Sequence, residues 1–227
     1  MINIVITGYK GRMGGHIAKL VDEASDMTLA GGADIDAPLK DIIEKADVVI
    51  DFTQASAAPE NAELAAEMGK PIVIGTTGLT DEQLARVKKA SERIPVIHAP
   101  NMSLGVNVLF HMINTAASTL GEEFKIEINE THHTKKLDSP SGTAKRMQEV
   151  ASAGGRTVNV HAFREGDVVG DHSISFDGPE EILEIKHHAK TRKLFARGAV
   201  TAARWIVGKK PGLYDMSDVL GLRSSPL

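Results

Sequence analysis

The chain has 227 residues, 42% hydrophobic and 25% charged, with a formal net charge of -4, which excludes a disordered chain and argues against a general nucleic-acid binder. Aromatics at 4% are too few for base-stacking platforms, and the absence of cysteine excludes disulfides, thiolate metal sites and a cysteine nucleophile. No apolar run reaches the roughly 18 residues of a membrane span, and the opening MINIVITG lacks the basic stretch of a signal peptide, so a cytoplasmic protein with neither membrane nor nucleic-acid partners is expected.

The first hundred residues alternate two rhythms. β-branched runs predict strands at 2–7, 28–33, 47–52, 71–75 and 95–99, and amphipathic stretches predict helices at 12–24, 39–45, 59–68 and 82–93. Nearly all-apolar strands separated by helices predict βαβ units and a parallel sheet covered on both faces. Between the first strand and helix, Thr7-Gly8-Tyr9-Lys10-Gly11-Arg12-Met13-Gly14 has the spacing G-x-x-G-x-x-G. Such glycines let the backbone approach a pyrophosphate at a helix N-terminus, although alone they also mark plain turns. Asp34, at the predicted end of the second strand, is placed to hydrogen-bond an adenosine ribose, with Asp36 as its rival. Phe52-Thr53 and Gly75-Thr76-Thr77-Gly78 end the third and fourth strands, where ligands of open α/β sheets gather; ordinary turn chemistry explains them equally well.

A hinge is expected at 101–105. The long helix that follows, 104–120, carries Val108, Met112, Ala116 and Leu120 four apart as one apolar face. Strands are then predicted at 124–131, 157–164, 172–176 and 182–188, with one helix at 144–153 between them, so the central region reads as a second, α+β domain. The pattern is helical again from 191 to 205, and the tail carries GLYDMSDVLGL.

The densest chemistry is ETHHTKKLDSPSGTA, from Glu130 to Ala144. Histidine titrates nearest neutrality and suits proton transfer. Ser141-Gly142-Thr143 at a helix start would cradle a carboxylate or phosphate, and Lys135 or Lys136 would add a full charge. The competing reading makes Ser141 or Thr143 a helix cap and the lysines solvated surface. His132 and His133 alternate faces of a strand, so at most one faces a given cleft. A metal site from His132, His133, His187 and His188 is disfavoured, because the pairs lack helical i, i+4 spacing and cysteine support.

Together GYKGRMG, DFT, GTTG, APNMSLGVN, ETHHTKKLDSPSGTA and GLYDMSDVL resemble the 4-hydroxy-tetrahydrodipicolinate reductase (dihydrodipicolinate reductase) family along essentially the whole chain. The resemblance implies an NAD(P)H-dependent oxidoreductase of the diaminopimelate route to lysine, acting on a small dicarboxylate. It implies an α/β fold: an N-terminal Rossmann-like parallel-sheet domain for the dinucleotide (1–103 and 193–227) and a central α+β mixed-sheet domain for substrate and homotetramer assembly (104–192). By that resemblance Gly8, Tyr9, Lys10, Gly11, Arg12 and Met13 form the pyrophosphate loop and Asp34 holds the adenosine ribose. Phe52, Thr53, Gly75, Thr76 and Thr77, with Ala99, Pro100, Asn101 and Met102, face the cofactor further along. His132 and Lys136 are the implied catalytic proton carriers, and His133, Ser141, Gly142 and Thr143 the substrate contacts, with no metal. Closure about Ser103 and Thr191–Arg192 is expected to join the two ligands.

The chain departs from the family in being short, with the segment after Asp34 and a loop before Gly166 trimmed. Ile35 stands where many relatives carry an arginine able to meet a 2′-phosphate, so both NADH and NADPH are expected as cofactors with NADH favoured, although Lys10 and Arg12 could still reach that phosphate. The rival reading, an aspartate dehydrogenase-like enzyme on the same scaffold, predicts the glycine loop but not His-His-x-x-Lys with Pro-Ser-Gly-Thr. A non-enzymatic NAD(P) sensor would need no substrate cradle.

Overall fold

The structure, a computed structural model, describes residues 1–223. The chain forms two compact units, Met1–Leu104 together with the segment from Lys193 onward, and Gly105–Arg192. The last four residues of the predicted 193–227 segment lie outside the described residues.

The first unit is built on a sheet of six strands: β1 (Ile2–Thr7), β2 (Met27–Ala33), β3 (Val48–Asp51), β4 (Ile72–Ile74), β5 (Pro95–His98) and β10 (Gly212–Tyr214). They lie in the order β10-β5-β4-β3-β1-β2, every neighbouring pair parallel. Alternate residues of each strand feed opposite faces. Ile4, Ile6, Val48, Ile50, Val73 and Ile97 pack beneath α1 (Arg12–Asp22) and α6 (Lys193–Ile206). Val5, Val49, Ile72, Ile74 and Val96 pack beneath α2 (Ala58–Glu67) and α3 (Asp81–Ser91). Each isoleucine or valine so buried contributes about 1.5–3 kcal/mol, which is why the central strands β3 and β4 are apolar up to the Asp51 that ends β3.

Two expectations for this unit are corrected. The stretch 39–45 is not an α-helix but two 3-10 turns, Leu39–Asp41 and Ile43–Lys45; so short a segment does not nucleate α-helix well, and the turns suffice to bury Leu39 and Ile43. The tail supplies a further strand, β10, which no periodicity announced: it is three residues long and its Leu213 is exposed.

The second unit has a sheet in the order β7-β6-β8-β9, formed by β6 (Lys125–His132), β7 (Val158–Arg164), β8 (Asp171–Asp177) and β9 (Ile182–His188). The β6–β7 pair is parallel; β6–β8 and β8–β9 are antiparallel. Its inner face packs against α4 (Leu104–Thr119) and α5 (Gly142–Ala151). On α4 the buried residues are Val106, Leu109, Ile113, Ala116 and Ala117, whereas Val108 and Met112 are 38% and 45% exposed. The expected stripe is therefore wrong in half its members. A strict spacing of four overshoots a 3.6-residue turn and walks off the face, while the mixed three-and-four spacing of the buried set stays on it.

Candidate active site

In the first unit a cleft of about 540 Å³ opens where the strands end, lined by Gly8, Gly11, Asp34, Ile35, Phe52 and Thr53 among others. Gly8 has φ +74, and a Cβ there would collide with the Phe52 carbonyl oxygen; only glycine turns so closely past the end of β3. The N-terminus of α1 is capped by Gly11 with no side-chain hydrogen bond, in contrast to α3, where Thr80 and Gln83 cap each other. An α1 start left without a side-chain acceptor, beside a glycine turn and a cleft, suits a pyrophosphate.

The other expected cofactor residues fall around this cleft in distinct ways. The Asp34 carboxylate accepts from the Lys10 N–H at 2.9 Å and so ties the glycine turn to the end of β2. The Lys10 ammonium pairs with Asp36 at 2.5 Å rather than standing alone, and Arg12 is exposed. The Tyr9 ring lies over Gly32 and the Phe52 ring over Gly75. Ala99 and Met102 are core residues, while Pro100 is exposed and Asn101 accepts from the Ser103 N–H at 2.9 Å. Thr77 is exposed, but Thr76 is buried and donates to Asp51 at 2.6 Å. That aspartate, fully buried at the end of β3, also accepts from Thr7 at 2.6 Å, Asn61 at 2.7 Å and Thr53 at 3.0 Å. Sequence reasoning quoted DFT without assigning Asp51; it is the knot that holds the ends of β1, β3 and β4 together.

In the second unit the inner row of β6 starts with Ile126 and Ile128 and ends with Glu130 and His132, all four buried. β8 brings His172 opposite Glu130, and β7 brings Arg164 beside His132. At this end the core face turns polar. The Glu130 Oε2 is hydrogen-bonded to His132 Nδ1, while Oε1 accepts from Arg164 at 3.1 Å and from the Ser141 N–H at 3.2 Å. Burial pushes the Glu130 carboxyl up, but Arg164, His132 and the Ser141 N–H together bring it below its ordinary range. Burial lowers His132 below the ordinary imidazole value; Glu130 works the other way, and Lys136 and Arg164 add to the lowering. His172 stands edge-to-face with His132 at 5.0 Å, and burial depresses it to about 4.

The Ser141 hydroxyl caps α5 by accepting from the Ala144 N–H at 3.1 Å and also meets His172 Nε2 at 3.2 Å. Gly142, next in the chain, is exposed, and a Cβ there would meet nothing. Lys136, with a side chain 21% exposed, pairs with Asp138 at 2.8 Å and holds that carboxyl below its usual range. His133 receives a hydrogen bond from Arg192 at 3.0 Å on its Nε2. His188 pairs instead with Asp171, and among the described residues no three of the four histidines weighed as metal ligands come together as a ligand cluster. Glu130, His132 and His172 do place one ligand atom each within 4.8 Å of one another. Both oxygens of Glu130 are already engaged, however, one of them by a guanidinium that a cation would have to tolerate.

Glu130, Arg164 and His172 were given no site role from the sequence, and Arg192 was named only at the expected hinge. Glu130 was findable, since a period of two puts it on the face of His132. Arg164 and His172 required the strand register, which no short-range pattern contains.

Known proteins match both units. Residues 2–102 fit the family model described as "Dihydrodipicolinate reductase, N-terminus", and residues 105–220 the one described as "Dihydrodipicolinate reductase, C-terminus". The chain is 45% identical to the 4-hydroxy-tetrahydrodipicolinate reductase of Anaeromyxobacter sp. (strain Fw109-5), covering 99% of this chain and 100% of that one. It is 42% identical to the protein of the same name from Citrifermentans bemidjiense, over 98% and 100% of the two chains. Both alignments run over 267 positions against the 227 residues here, so this chain is shorter than these relatives. A solved dipicolinate-bound dihydrodipicolinate reductase from Paenisporosarcina sp. TG-14 shares the fold, with a TM-score of 0.82 at 24% identity over 95% of this chain and 97% of that one.

Proposed function

This chain belongs to the dihydrodipicolinate reductase family, and from that premise we propose that it catalyses the NAD(P)H-dependent reduction of 4-hydroxy-tetrahydrodipicolinate (dihydrodipicolinate) to tetrahydrodipicolinate in the diaminopimelate route to lysine. The observation that carries the reading at the level of residues is the polar end of the β6 row, where His132 and the start of α5 meet in one buried network.

The glycine turn Gly8–Met13 and the α1 N-terminus would hold the cofactor pyrophosphate, Asp34 the adenosine ribose, and the ends of β3, β4 and β5 the nicotinamide side. When bound, the reduced nicotinamide supplies the hydride. His133, Ser141, Gly142 and Thr143 hold the dicarboxylate, and Ser141 does so through the α5 start that it caps. Lys136 stabilises negative charge as it develops on the substrate, and His132 delivers the proton. NADH is favoured over NADPH: Ile35, 96% exposed after Asp34, offers a 2′-phosphate no charge, and the Lys10 ammonium is held by Asp36. We assign the first unit to the dinucleotide and the second to substrate and to assembly of a homotetramer through the outer face of its sheet, in the cytoplasm.

The test is oxidation of NADH or NADPH with substrate made freshly by the preceding synthase. Turnover that needs that substrate, and falls at least tenfold in His132→Ala with the dissociation constant for NADH kept, is the expected result. Reductive amination of oxaloacetate in its place would install the aspartate dehydrogenase reading.

A further inference from the structure

His132 has two ring nitrogens, and proton transfer needs one of them presented in a defined state. We propose that Glu130 is the positioning residue that imposes this state, fixing the neutral His132 ring with its proton on Nδ1 and reserving Nε2, beside Gly170, for exchange with the substrate. The inference rests on His132 being the proton carrier: Nε2 of the neutral ring first takes a proton from solvent, giving the imidazolium, and then hands that proton to the substrate, which returns the ring to its Nδ1–H state.

An ionised carboxylate can only accept hydrogen bonds. Glu130 is completely buried and is kept charged by Arg164 and the Ser141 N–H on one oxygen, so its other oxygen is an obligate acceptor facing Nδ1. The neutral imidazole must then carry its proton on Nδ1, which leaves a lone pair on Nε2. On the Nε2 side stands Gly170, which has no side chain. A Cβ built on Gly170 would lie 2.9 Å from Nε2, closer than carbon and nitrogen tolerate. The glycine therefore leaves clear the one atom that Glu130 does not occupy.

The neighbours keep the proton from straying. His172 stands edge-on to His132 and is driven toward neutrality by burial, so it is a poor competing base. Its Nε2 is taken up by the Ser141 hydroxyl. Lys136 and Arg164 disfavour a charged His132, and Glu130 favours it. The carboxylate thus orients the ring and also steadies the imidazolium from which the proton leaves.

The test is a double-mutant cycle on the whole enzyme, with kcat and the NADH dissociation constant measured for E130Q, H132A and the pair. A glutamine amide can donate to Nδ1 and so move the ring proton to Nε2. E130Q is expected to lower kcat roughly 100-fold with NADH affinity unchanged within about twofold. The double variant is expected to be no slower than H132A, because Glu130 acts through that ring. The limb of the kcat profile that needs His132 protonated should shift to lower pH in E130Q, and E130D should recover part of the rate. Additive losses in the double variant would overturn the positioning role. Full activity in H132A would instead remove His132 as donor, a separate failure. Should E130Q not fold, nitrogen-15 spectra of the wild-type histidines, assigned with H132A, decide the matter: Nδ1–H on His132 sustains the proposal and Nε2–H overturns it.

Discussion

Asp51 and Glu130 are both completely buried carboxylates near the end of a strand, one in each unit, yet they keep different company. Asp51 is surrounded by Thr7, Thr53, Thr76 and Asn61, neutral donors that neither gain nor lose a proton near neutral pH. Glu130 is surrounded by a guanidinium, an imidazole and a helix-start N–H. The first arrangement is a fastening, since hydroxyls from three strand ends all point at one anion and fix the rim of the cleft. The second is a poise, since the state of one partner depends on the charge of another. The identity of the donors, rather than burial itself, separates a carboxylate that holds a scaffold from one that tunes a proton carrier.

The comparison breaks most readily at Lys136. Lys136→Ala should lower kcat by about 100-fold or more while NADH binds as before, by fluorescence titration; a lost NADH site would mean that the chemistry is not divided between the units as described. Asp51→Ala should leave the hydroxyls around it short of an acceptor and cost about 3 kcal/mol in a urea melt, with the shape of the kcat pH profile kept. A moved profile would give Asp51 a role like that of Glu130.

Acid should find the second unit first. His172 has an ordinary value of 6.5 unfolded and about 4 folded, so its contribution is intact above pH 6.5 and is lost as pH falls from there toward 4. The loss amounts to about 3 kcal/mol. Urea midpoints at pH 7.5 and 4.5 should differ less in His172→Gln than in the parent, and equal differences would remove His172 as the cause. The smallest expected effect is at the cleft: Ile35→Arg should move the NADPH-to-NADH ratio of kcat/KM upward by about tenfold, or about 1.4 kcal/mol.

Much of the first unit was legible because its strands are buried on both faces and so read as continuous apolar runs broken by glycine turns. The α4 stripe was misread because spacing by four counts Val108 and Met112 while the helix itself buries Leu109 and Ile113. β10 was silent because an edge strand of three residues needs no apolar pattern. At the site, the motif residues His132, Lys136 and Ser141 could be named from adjacency in the chain. Arg164 and His172 could not, because they reach Glu130 and His132 through strand pairings across more than thirty residues of chain.

The interrupted first unit has a consequence for how the protein is made. Residues leave the ribosome in order, and Gly105–Arg192 is a single uninterrupted stretch that needs nothing synthesised after it. The older half must wait: until α6 and β10 emerge, Ile50, Val73 and Ile97 lack the cover of α6 and β5 stands as a bare edge. The nascent chain therefore carries an unfinished sheet with a finished neighbour behind it. The stretch from Lys193 to Tyr214 ends that interval, and chaperones would have to shield the apolar face for as long as it lasts.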